Sequence, residues 1–82
     1  MMDKRLNFDK EELDKLMDEF GDNISTLADA LGVSRQNISQ VMNGQHSFTY
    51  QQIVQIAAHY KMDAEAFFRV FVIPYMELLK TA

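Results

Sequence analysis

The chain has 82 residues, which is room for one domain built around a single modest core. Hydrophobic residues make up 48% and charged residues 24%, too apolar for a disordered chain and ordinary for a globular one. Acidic residues outnumber basic ones by 12 to 8, so overall charge (−4) does not favour nucleic acid, and the lack of cysteine excludes disulfides and thiol chemistry.

Residues 1–7 read as an N-terminal arm, and they lack the long apolar segment of a secretory signal. Helix one opens at Asp9, which can cap it, with Glu12 placed to return the hydrogen bond and Phe8 to staple onto Leu13. Leu13, Leu16, Met17 and Phe20 then recur at helical spacing and form one apolar stripe, and Gly21 ends the segment. The second helix runs from the cap Asn23 to about Leu31 and buries Leu27, Ala28 and Leu31. The third runs from the cap Ser34 to about Met42 and buries Ile38 and Val41, with Met42 open to burial or to a partner. Helix four opens on Thr49, with Gln52 at the third position and a Phe48–Ile53 staple. Its core face is Ile53, Ile56, Ala57 and Tyr60. Helix five starts at the cap Asp63 and continues through about Phe71. Pro74 then pushes Ile73 toward an extended conformation and interrupts the pattern.

The expected architecture is therefore all-α, with five short helices over residues 8–71. Residues 72–82 form a tail, either a short apolar sixth helix or an arm. Val70, Phe71, Val72, Ile73, Tyr75, Met76, Leu78 and Leu79 are many apolar residues for a chain end. Phe67 and Phe71 belong to the core on this reading. The rest either pairs two protomers or folds back to close the domain.

Between helices two and three lies Gly32-Val33-Ser34, a short turn with a glycine that lets the chain reverse tightly. Leu27, Ala28, Leu31, Val33, Ile38 and Val41 are the positions that two crossed helices must bury, and Ala28 is small where they approach. This spacing matches a helix-turn-helix, whose second helix enters the major groove. Helix three covers about eight residues, or roughly 12 Å, comparable with a groove about 12 Å wide.

The combination Leu27-Ala28, Leu31-Gly32-Val33-Ser34, Ile38-Ser39, Asn43-Gly44 and Ile56-Ala57 resembles the phage repressor and Cro-type helix-turn-helix domains, over residues 8 to 71. More loosely, the chain is similar to small early regulators of temperate phages, such as Cro-like proteins and modulators of repression. The resemblance implies a compact lambda repressor-like domain that binds double-stranded operator DNA as a homodimer in the cytoplasm of a bacterial host. By position, it places Arg35, Gln36, Ser39 and Gln40 on the DNA-facing surface of the recognition helix. The chemistry agrees, since Arg can bond a guanine edge bidentately and Gln an adenine edge. Asn23, Asn43, Gln45 and Ser47 would hold the DNA backbone.

Charge distribution offsets the acidic total. No Asp or Glu occurs from Ala30 through Met62, whereas helix one carries Asp9, Glu11, Glu12, Asp14, Asp18 and Glu19. Arg35 sits in the first turn of its helix, where the macrodipole disfavours a cation, so a partner explains it better. Two features depart from the family pattern. Ile24 stands where a phosphate-binding Gln is common, and Met42 where an acidic residue is usual. If exposed, Ile24 and Met42 would suit a protein better than a phosphate. That motivates an alternative reading, an antirepressor that grips a phage repressor protein through the same helices.

Catalysis has no obvious basis here. The chain shows no nucleophile–base pair, paired carboxylate site or phosphate-cradling glycine loop, so no enzyme activity and no cofactor are expected. His46 and His59 lack acidic neighbours in sequence, so no metal site is expected. His46 reads as a DNA contact or a cap for helix three, and His59 as packing against helix five. No apolar run approaches the roughly 20 residues that cross a bilayer. The interleaved aromatic and basic residues favoured by single-stranded RNA are also missing.

Overall fold

Each helix begins where a short polar side chain takes up a free backbone N–H. In the computed structural model, which describes residues 6–81, the helices are α1 (Lys10–Glu19), α2 (Ile24–Leu31), α3 (Arg35–Met42), α4 (Tyr50–His59) and α5 (Ala64–Phe67). A π-helical turn (Phe68–Val72) then leads without a break into α6 (Ile73–Thr81), so the last three segments form one fifth helical rod. There is no strand among the described residues. Asp9, Asn23, Ser34, Thr49 and Asp63 cap the five starts, each side chain accepting an N–H three residues on. At α2 and α4 the bond is returned, by the Thr26 hydroxyl and the Gln52 amide oxygen respectively.

At α1 the expected return bond from Glu12 is not made. The Asp9 N–H donates instead to the carbonyl of Val70 at 2.7 Å. Glu12 turns outward toward Lys15 and Arg69. The cause lies four residues past Val70, where Pro74 has no N–H to offer that carbonyl. An orphaned acceptor on the last helix thus meets an orphaned donor at the start of the first. The same proline was expected to push Ile73 into extended backbone, but Ile73 is helical at φ −58° and ψ −47°. The helix widens into a π-turn ahead of the proline, with the Ile73 N–H reaching back to Phe68. The rod therefore continues through Pro74.

The helix ends share one device. After α1, α2, α3 and α4, paired reverse hydrogen bonds close the last turn, as in Val33 N–H to Ala28 and Gly32 N–H to Asp29. The residue carrying the left-handed conformation is a glycine in three cases and Lys61 (φ 52°) in the fourth. At Gly32 (φ 72°) an added Cβ would meet nothing within 4 Å, so glycine is needed there for its backbone alone.

The core gathers between these helices. Leu13, Leu27, Ile38, Val41, Ile56 and Val70 are fully buried, one or more from nearly every element. Phe48 stacks against Phe8 (4.9 Å between centroids) and against Phe71 (6.4 Å), which pins the loop between α3 and α4 to both ends of the fold.

The helix-end geometry yields opposite expectations for two substitutions. Gly32→Ala should lower unfolding free energy by about 1 kcal/mol or more, because alanine is strained at that φ. Lys61→Gly should raise it by roughly 0.5–1 kcal/mol by releasing the same strain. Urea melts of both variants beside the parent chain measure the two signs.

Candidate nucleic-acid interface

The eight residues of α3 divide cleanly between core and surface. Ile38, Val41 and Met42 are buried, and this fixes the rotation of the helix about its axis. Arg35 and Gln36 are then exposed, while Ser39 and Gln40 are half-buried on the same outward side. These four side chains line an open groove together with Ile24 from the first turn of α2 and with Asn43 and Gln45 beyond the end of α3.

Of the residues expected to touch DNA, six therefore share one concavity. Asn23 and Ser47 do not line it. Asn23 is exposed, but its side-chain oxygen accepts the Thr26 N–H as the α2 cap. Ser47 is exposed on the loop before α4. The pairing of Ile24 with Met42 as an apolar partner patch is not present. Met42 faces the core at 8% exposure, because it follows Ile38 by one helical turn on the buried side. Ile24 is half-buried, with one side against the core and the other in the groove.

The groove is held in shape by polar contacts, one of them local and the other remote in sequence. Gln52, itself buried, accepts the Thr49 N–H at 2.9 Å and donates its amide to Asn37 Oδ1 at 3.3 Å. Asn37 in turn donates its backbone N–H to the Ser34 cap. The start of α4 is thereby tied to the start of α3. Only half of this was open to sequence inspection: the cap at Gln52 is a local pattern, but its bridge to Asn37 spans 15 positions.

A second tie sets the entry to α2. Asp22 accepts the Thr26 hydroxyl at 2.6 Å and the Tyr60 hydroxyl at 2.8 Å, and the His59 ring nitrogen Nε2 lies 2.9 Å away. His59, expected against helix five, instead meets this carboxylate on the α1–α2 turn, 37 positions distant in sequence. Burial of Asp22 works against its charge, but the bonds from Thr26, His59 and Tyr60 outweigh it and hold the carboxyl below its ordinary value. Burial, with the adjacent Asp22 charge, pushes the Tyr60 hydroxyl well above its usual range. His46 is exposed and takes no part in closing α3, whose end is sealed by Gly44 and Gln45 N–H groups.

Among the described cations, Arg35 and Lys61 lie near no carboxylate, and of these two Arg35 is the one that lines the groove. Lys10, Lys15, Arg69 and Lys80 each lie within ion-pair distance of a carboxylate. Arg35 has no acidic partner among the described residues, and its stretch of chain is free of Asp and Glu from Ala30 to Met62. An exposed guanidinium whose five donors meet no partner among the described residues, beside two glutamine amides, is suited to a planar acceptor edge or a phosphate.

A family model described as Helix-turn-helix matches residues 13–67, which includes every groove residue. Comparison with curated proteins and with solved structures gives no match.

The Asp22 cluster carries a pH dependence of defined sign. Its carboxyl is more acidic folded than unfolded, so its contribution is present above about pH 4 and fades as pH falls through the lowered value. Asp22→Asn should lower stability at pH 7 by about 1–2 kcal/mol. The variant should also lose less than the parent between pH 5 and pH 2.5, which urea melts along that series would report.

Proposed function

The chain belongs to the helix-turn-helix family of lambda repressor- and Cro-like proteins, and we propose that it is a sequence-specific transcriptional regulator of the phage repressor and Cro type. DNA binding is the general property of this family, and the specific assignment rests on one observation. Arg35 is exposed and without an acidic partner among the described residues, on the outward side of an eight-residue helix flanked by Gln36 and Gln40. On this reading α3 lies in the major groove. Arg35, Gln36 and Gln40 then meet base edges, and Ser39 assists. Asn43 and Gln45 hold the phosphate strand at the far end of the groove, with Ser47 and Asn23 flanking it.

Few cations take part, so non-specific attraction is weak and binding depends on fit. Occupancy of an operator then blocks or adjusts transcription. Two protomers would double the contact. α6 offers the means, since Ile73, Tyr75, Met76 and Leu79 are exposed along the last helix. We propose that residues 72–82 join the protomers of a homodimer through this surface. The antirepressor reading is less well supported, because it needs Met42 at the surface and Met42 is in the core.

The test is fluorescence anisotropy of labelled duplexes tiled across the DNA flanking the gene, at about 50 and 200 mM salt. Saturable binding to one tile at both salts is the expected result. Arg35→Ala and Gln40→Ala should each cost about 1–3 kcal/mol on that tile and little on unrelated DNA. Equal weak binding to every tile would contradict the proposal.

A further inference from the structure

Among the residues that line the groove, Ile24 alone is apolar; the α3 side chains around it carry amides, a hydroxyl and a guanidinium. Ile24 is half-buried, so its inner side is already used in the core and its outer side is left on the groove wall. A phosphate oxygen set against that side would lose water and gain no hydrogen bond. What fits is a small apolar projection joined to a hydrogen-bonding edge, since the wall is apolar at one point and rich in donors around it. The major-groove edge of thymine has that form, with a 5-methyl group beside the O4 acceptor. Neither cytosine nor a purine presents a methyl group there.

We infer that Ile24 is a specificity-determining residue that selects thymine through its 5-methyl group, an inference that rests on the DNA-binding reading above. The methyl sits against Ile24, and the Gln36 or Gln40 amide is within the same groove to serve the adjoining base edge. A helix that precedes the recognition helix thus supplies part of the base discrimination.

Duplexes selected by the full chain from a randomised pool provide the probe. Each thymine of a selected duplex is replaced singly by deoxyuridine, which removes only the methyl group. Dissociation constants are then measured by anisotropy at one salt for the parent chain, Ile24→Val and Ile24→Ala. At one thymine per protomer, deoxyuridine should weaken the parent about fourfold, the effect of one lost methyl contact. The same replacement should have no effect on Ile24→Ala and a reduced effect on Ile24→Val. The conservative variant decides the matter alone if Ile24→Ala does not fold. Deoxyuridine tolerated at every position, or a loss equally large in the variants, would overturn the role of Ile24 while leaving DNA binding intact. Failure to select any duplex above background would overturn the DNA reading itself and turn the groove toward a protein side chain.

Discussion

The reversal at Gly32 is the constraint on which the rest of the molecule depends. Its left-handed backbone lets Val33 and Gly32 bond back onto α2, and the chain then enters α3 through the Ser34 cap with no residue to spare. Ala28, buried at 1%, keeps the two helices close at that corner. With the corner fixed, burying Ile38, Val41 and Met42 leaves only one side of α3 free. Arg35, Gln36, Ser39 and Gln40 must therefore appear together on the outside, and Ile24 must stand beside them. The candidate site is a consequence of how two short helices are forced to cross.

Around that corner, contacts remote in sequence remove the remaining freedom. Gln52 fastens α4 to α3 through Asn37, and Asp22 fastens the start of α2 to the end of α4 through Tyr60 and His59. Phe48 anchors the loop that carries Asn43 and Gln45. Val70 and Asp9 join the last helical rod to the first helix. The result is a candidate surface carried by two helices and an anchored loop, which on the proposed reading suits binding with few cations and little non-specific attraction.

Much of the fold was legible in the sequence because its determinants are local. The five caps sit directly before apolar periodic runs, and three of the four left-handed helix ends carry a glycine. What remained hidden depends on partners brought in from afar. Pro74 reads locally as a stop, but a widened turn and the distant Asp9 N–H compensate for its missing donor, and the helix runs on. Met42 could be assigned to either side from spacing alone, and only the packed core decides for burial. His59 had no acidic neighbour in sequence, whereas folding brings Asp22 to 2.9 Å. Ile24 stood out as an unusual residue type, but its shared wall with α3 is a property of the folded pair.

The central claim is that the outward side of α3 and the adjoining start of α2 form one contact surface for duplex DNA. Amide chemical shifts of isotope-labelled protein, followed during titration with a selected duplex, address it residue by residue. The account predicts the largest shifts from Arg35 to Gln45 and at Asn23 and Ile24, with the acidic α1 undisturbed. Largest shifts on α1 or α6, or an unchanged spectrum at excess duplex, would contradict it.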